Sequence, residues 1–242
     1  MKACARWRGF AFLSALGLVA LAVLVPTALG GGAGVGVKSM KPASGVVGTV
    51  VTIKGSGFMN ATAVAFNGTA ASTFTVDSDK QITATVAAGT TSGPVTVTIP
   101  STTLTSRKDF GVLVKVSLTG CSGAGGNRNV PAGTYPVFTA GWVMSSIDFL
   151  KPFLKSTKTT LTVDGVLKKA QKSWDKHGVD AGGGSWRTDF TYNSRVLLAT
   201  GGDSITAEIH QFVKTEFSDG TGTYAPGTDL WAGLTSCTVH AV

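Results

Sequence analysis

Few residues of this 242-residue chain have the types and spacing that chemistry requires. Glu208 and Glu216 are its only glutamates, and two carboxylates in one region are what glycoside hydrolysis needs, one as acid and the other as base or nucleophile. Nothing else in the sequence singles the pair out, and both read as solvent-facing acids. His177, His210 and His240 are widely separated and form no His-Glu-x-x-His, so no zinc site is expected. No Gly-x-Ser-x-Gly elbow is present to hold a nucleophilic serine. "VDSDK" around Asp77 and "SDGTGTYAPGTD" from Ser218 to Asp229 lack the dense oxygen ligands of a calcium loop and read as turns. "VVTIKGSGFMN", Val50 to Asn60, ends an apolar run in Gly-x-Gly but leads into another strand-like run. A phosphate loop needs a helix N-terminus there. Gly55 and Gly57 are therefore expected to turn the chain and let Phe58 enter the core. No catalytic residue, metal or cofactor is expected, and the chain reads as a non-enzyme.

What remains is chemistry of contact. Trp174 and Trp186 stand beside glycine-rich polar stretches, "KSWDKHG" and "GGGSWRTDF", and Trp231 lies in "GTDLWAG". Indoles on loops offer an apolar plane with a polar N–H at its edge, which suits stacking on sugar rings; the alternative is that they fill a core. Trp142, in "TAGWVMSS", reads as core. Lys168, Lys169 and Lys172 belong to a run from Lys151 to Lys176 that holds only Asp164 and Asp175 as acids. Such a cluster attracts anionic polymers through a salt-sensitive field, or simply keeps a face solvated. The six residues Trp174, Trp186, Trp231, Lys168, Lys169 and Lys172 are the candidate ligand-binding set.

The elements that must position these residues are strands. Only 14% of residues are charged and 32 are glycine, a composition that favours strands and turns over long helices. "VTVTIP", "QITATV" and "VAFNG" alternate in period two, and "GSG", "NGT", "DSDK" and "GTTSG" supply turns between them. Tyrosine is absent from residues 31–114, as is tryptophan, whereas residues 115–242 hold four tryptophans and three tyrosines, which marks a second domain. There "SITAEIHQFV" alternates Ile205, Ala207, Ile209, Gln211 and Val213 against Thr206, Glu208, His210 and Phe212. Asp164-Gly165 predicts a tight hairpin. "SSIDFLKPFLK" predicts a short helix with Ile147, Leu150 and Leu154 on one face, limited to a couple of turns by Pro152.

The N-terminus sets Lys2, Arg6 and Arg8 before an apolar run from Phe10 to Val25, then small residues ending at Gly30. This is the pattern of a secretory signal, and its run is shorter than the roughly 20 residues of a spanning helix. Its removal takes three basic residues and no acid, leaving a moderately basic chain with no membrane span; a retained leader would act as an anchor. Export makes Cys121 and Cys237 a disulfide candidate. Export, with no stacking-plus-basic motif, also argues against nucleic acid as a partner.

The stretch that begins "KPASGVVGTVVTIKGSGF" continues through "VAFNG", "SDKQITATV" and "SGPVTV", and in this order it resembles an IPT/TIG domain, a small immunoglobulin-like module. The resemblance implies a fold and an extracellular or cell-surface setting, and it carries no catalytic residue. The expected architecture is all-β: signal peptide 1–30, glycine-rich linker 31–37, immunoglobulin-like IPT/TIG domain 38–114, and a disulfide-closed second β-sandwich with one short helix, 115–242. The expected role is non-catalytic adhesion or binding of a glycan, cell-wall polymer or protein. A small secreted hydrolase of polysaccharide and a structural spacer or assembly subunit are the alternatives.

Overall fold

A computed structural model describes residues 35–118, 121, 126–168, 179–182, 185–230 and 236–242, with the backbone alone at 168, 179–182 and 186–190. The chain is mostly β, with one helix among the described residues.

The first half alternates buried and exposed residues along nearly every strand. One sheet joins β1 (Gly36–Lys41), β3 (Val50–Ser56), β7 (Gln81–Thr85) and β6 (Thr73–Ser78) in the order β1-β3-β7-β6. The other joins β5 (Thr69–Ala70), β4 (Ala63–Phe66), β8 (Gly93–Ile99) and β9 (Thr102–Ser117), with the two-residue β2 (Ser44–Gly45) on β9. Between them lie Val51, Ile53, Phe58, Phe66, Ile82, Val95, Val97 and Phe110, all buried. Full burial of each such side chain contributes about 1.5–3 kcal/mol. Phe66 and Phe110 meet edge to face at 5.1 Å. Asn67 (φ 45°) and Gly68 (φ 83°) make the β4–β5 turn in the left-handed conformation such two-residue hairpins require.

Gly55 and Gly57 serve two different purposes. Gly57 has φ 83°, and its N–H donates to Asp79 Oδ2 at 3.3 Å, so it turns the chain as expected. Gly55 lies inside β3, where a Cβ would run into the Gly36 carbonyl and the Phe58 ring. Its role is close approach rather than turning.

β9 serves both halves. A bulge between its pairings with Pro94 and Thr96 is held by Ser106, whose Oγ accepts from Val95 N–H at 2.8 Å and donates to the Lys108 carbonyl at 2.7 Å. Beyond it, Phe110 and Val112 enter the first core while Val114 and Val116 pack in the second. Val112 N–H donates to Ser92 Oγ and Gly111 N–H to the Ala43 carbonyl, so β2 lies on the edge of β9 opposite β8. From Leu113 onward β9 pairs in parallel with β11 (Tyr135–Met144). The boundary expected after Val114 thus falls within a continuous strand.

In the second half β11 continues the sheet to β15 (Ser185–Asn193) and β14 (Val179–Gly182). Against it stands a five-stranded sheet in the order β10 (Gly126–Val130), β19 (Ser236–Ala241), β16 (Ser204–Val213), β12 (Thr157–Val163) and β13 (Val166–Lys168). The β12–β13 turn is Asp164 (φ 49°) and Gly165 (φ 74°). A hairpin of β17 (Phe217–Ser218) and β18 (Thr223–Tyr224) stands apart. Phe138, Leu161, Ile205, Ile209 and Val239 are among the residues that fill the core, and Cys121 and Cys237 join within it, Cα atoms 5.5 Å apart. The bond ties the segment after β9 to the opposite sheet.

The helix, α1 (Ile147–Ser156), is capped by Ser146, whose side chain accepts from Asp148 N–H at 3.1 Å. Its buried residues are Leu150, Phe153 and Ser156, while Leu154 is only partly covered, so the packed face is rotated from the one expected. The reason is aromatic: Phe153 stacks on Trp142 at 5.1 Å and meets Phe217 edge to face at 5.9 Å, which makes it the anchor. Pro152 sits inside this three-turn helix at a half-buried position and removes one of its backbone hydrogen bonds without ending it.

Candidate functional site

β16 sits in the middle of the five-stranded sheet and buries every second residue, from Ile205 to Val213, with Gln211 among them. Gln211 is an amide in an apolar layer, and Thr157 and Thr159 on β12 hydrogen-bond to it. Those bonds offset the cost of burying it. The opposite face presents Thr206, Glu208, His210 and Phe212 to solvent. Neighbouring strands set Lys158, Thr160 and Thr162 opposite Phe212, His210 and Glu208, and Ser236 and Thr238 opposite Glu208 and Thr206. Thr206 and Thr238 share a hydrogen bond of 3.0 Å.

Within this field of hydroxyls, His210 and Phe212 form a near-parallel aromatic pair, centroids 5.7 Å apart and planes at 16°. Phe212 is 38% exposed, an unusual position for a phenylalanine in a central strand. β19 leaves β16 unpaired beyond Glu208, and residues 227–230 take its place. Leu230 N–H donates to the Gln211 carbonyl at 2.9 Å and Val213 N–H to the Thr228 carbonyl at 2.8 Å. This seats Asp229, whose Oδ1 accepts from Gln211 N–H at 3.1 Å and whose Oδ2 lies 2.7 Å from His210 Nδ1. With Nδ1 held, the imidazole has one orientation, and the side chain is partly exposed.

Most of the candidate binding set falls outside the described residues. Lys169, Lys172, Trp174 and Trp231 lie outside the described residues, as does His177, and only the backbone of Lys168 and Trp186 is placed, on β13 and β15. Lys151, Lys155 and Lys158 are exposed. Trp142 packs against both the second core and the helix cluster, as expected. Glu208 accepts from Thr162 Oγ1 at 3.4 Å on the open sheet face, and Glu216 is exposed just before β17. Among the described residues no three His, Cys, Asp or Glu side chains converge to hold a metal ion. The signal for the aromatic pair was present in "SITAEIHQFV": its alternation already places Phe212 on the polar side.

Both acidic stretches are turns. Asp77 Oδ2 accepts from Thr83 and Gln81. Asp219 accepts from Thr221 N–H, Thr221 Oγ1, Gly222 N–H and Tyr224 Oη, all within 2.9 Å. Partial burial pushes its carboxyl up, but these hydrogen bonds outweigh that and hold it down at about 2. The same bond raises the Tyr224 phenol.

The two facing sheets of the first half, with Gly57 at the turn and Phe58 in the core, coincide with a sequence-family match over residues 36–126. These residues form an IPT/TIG domain. The match runs past the end of β9 to the start of β10, and the C-terminal region beyond it has no assigned family. No curated protein matches the chain. Among solved structures it is similar to the gamma-CGTase from alkalophilic Bacillus clarkii, at 16% identity and TM-score 0.32, over 87% of this chain and 27% of that one. It is also similar to SGBP-B of the Bacteroides ovatus mixed-linkage glucan utilization locus, solved with a mixed-linkage heptasaccharide: 14% identity, TM-score 0.25, 83% of this chain and 43% of that one. A third is the I9–I11 tandem of titin, at 9% identity and TM-score 0.23, over 82% and 62%. This chain therefore spans about a quarter of the first of these, and TM-scores this low support no inference. The Cys121–Cys237 disulfide suits an extracytoplasmic setting. Among the described residues no helix is long and apolar enough to cross a membrane.

Proposed function

We propose that this is a non-catalytic extracytoplasmic binding protein that engages a polysaccharide on the solvent face of its five-stranded sheet. The observation that carries this reading is the exposed His210–Phe212 pair with Asp229 fixing the imidazole. Pyranose rings have apolar C–H faces and polar hydroxyl edges, so they pack on aromatic surface while neighbouring hydroxyl, carboxylate and imidazole groups take their hydrogen bonds. Thr160, Thr162, Thr206, Thr238 and Glu208 supply that polar surround. A sheet holds it without the ordering cost of a loop. The IPT/TIG domain joins to this sheet system through β9 and serves as its support.

Affinity electrophoresis of the whole protein through gels containing soluble β-glucans, α-glucans, mannans or pectins tests this. At least one polymer is expected to retard migration, Phe212→Ala to weaken retardation about tenfold, and His210→Ala to weaken it less. No reducing ends should be released. Migration unchanged by every polymer, retention indifferent to both substitutions, or release of sugars would overturn the proposal.

The spacer reading has one observation in its favour, the sixteen residues of β9 that run unbroken through both cores. It predicts no retention on any polymer.

A further inference from the structure

A second place in the fold gathers polar side chains around a concave surface. Where β2 stops and β11 begins, on the same edge of β9, the sheet leaves a cleft of about 250 Å³. It opens on the side of β9 away from both cores, the side of Asp109, Gly111 and Leu113. Across it stand Ser44, Tyr135, Asn193 and Arg195. Gly111 admits the Tyr135 ring, which lies 3.4 Å from where a Cβ would be.

Arg195 is the informative residue. Three non-glycine residues among those described have left-handed backbone: Asn67, Asp164 and Arg195 (φ 56°). The first two are of the types that tolerate it, and each precedes a glycine in a hairpin turn. Arginine has no such tolerance, and the conformation costs it about 1 kcal/mol relative to glycine. Asn193 enforces it, its Oδ1 accepting from Arg195 N–H at 2.9 Å. That bond orients the Asn193 amide and leaves its NH₂ end for other use. Arg195 is exposed and lines the cleft, and its charge offsets part of the rise that burial causes in the Tyr192 phenol. A backbone that favours glycine yet carries arginine indicates that the side chain has a use.

We propose that this cleft is a second carbohydrate site that takes a single uncharged pyranose unit, with Arg195 and Asp109 as its recognition residues. The chemistry selects that class. Asp109 is an acceptor for two neighbouring hydroxyls, while Arg195 and Asn193 donate and Tyr135 offers ring surface and a phenol. An anion would meet Asp109 and a cation Arg195, whereas a neutral polyol satisfies both. The volume suits one ring rather than a chain. The class of ligand rests on the reading of the sheet face as polysaccharide-binding, but the site and its residues are separate.

Saturation-transfer NMR on the whole protein tests it, with glucose, galactose, mannose and N-acetylglucosamine each at millimolar concentration. One of them is expected to receive magnetisation. Arg195→Gly should abolish this while leaving the melting temperature unchanged or raised, because glycine relieves the backbone. Asp109→Asn, at an exposed position, should weaken binding about tenfold. Phe212→Ala should leave the monosaccharide signal intact, which separates this site from the sheet face. No signal from any of the four sugars, a signal that survives both Arg195→Gly and Asp109→Asn, or one lost only in Phe212→Ala overturns the proposal. If Arg195→Gly lowers the melting temperature, Arg195 is structural, and the proposal then stands or falls on Asp109→Asn.

Discussion

A few side chains decide how this surface behaves, and Asp219 is the most sharply constrained of them. Four donors hold its carboxylate, so its folded pKa of about 2 lies below the value near 3.9 of an unfolded chain. A depressed acid contributes stability that is complete above the unfolded pKa and is lost as pH falls through the folded one. The β17–β18 hairpin should therefore keep its structure at pH 4 and loosen toward pH 2, with an NMR midpoint for the Asp219 carboxyl near 2. A midpoint near 4 would contradict the hydrogen-bond set. Asp219→Asn should also bring the raised Tyr224 phenol back toward the ordinary tyrosine value near 10, read by ultraviolet titration. At this scale the sequence was least informative. "SDGTGTYAPGTD" revealed a turn but not that Asp219 would take four donors from within five residues of itself, and the reach of Asp229 back to His210 depends on residues 227–230 replacing β19 beside β16. No local pattern encodes that replacement. Nothing at Arg195 suggested a left-handed backbone either, since no glycine or asparagine occupies the position.

The strands, by contrast, were legible, because a period of two in apolar residues leaves one solution once a face must be buried. "SITAEIHQFV" alternates in the structure as its letters do, and both the Asn67-Gly68 and Asp164-Gly165 hairpins lie where their dipeptides indicate. The helix was legible in place and not in rotation, since its buried face was chosen by Phe153 meeting Trp142 and Phe217 across long sequence distances. Glycine illustrates the same division. Gly165 has positive φ and open space around it, so Gly165→Ala should cost about 1 kcal/mol, all of it backbone. Gly55 has ordinary φ and no room, so Gly55→Ala should cost more, in the roughly 1–3 kcal/mol range of overpacking. Urea denaturation of the two variants checks the order, and equal losses would refute it. The letter G announced the first role and concealed the second.

For the molecule as a whole, two long-range links matter: the Cys121–Cys237 bond and β9. The bond closes a loop across 116 positions, for which loss of unfolded-chain entropy predicts about 4–5 kcal/mol. Cys121→Ser with Cys237→Ser should lower urea stability by that order, and dithiothreitol should do so only in the parent protein. Indifference to both would mean the pairing contributes nothing to stability. Since β9 lends Phe110 and Val112 to one core and Val114 and Val116 to the next, unfolding is expected as one transition. Trp142, Trp174, Trp186 and Trp231 come after β9 and the fifth tryptophan, Trp7, falls within the expected signal peptide, so without that segment fluorescence reports the later half while circular dichroism reports both. The two curves should coincide, and a resolved early step in only one of them would refute the coupling. The shared strand also bears on inheritance. Exchanging the IPT/TIG portion for a foreign module at residue 114 would sever Lys115–Ser117 from the residues that fix their register, and β11 would lose its parallel neighbour. Recombination at that point would yield two broken pieces rather than two portable cassettes.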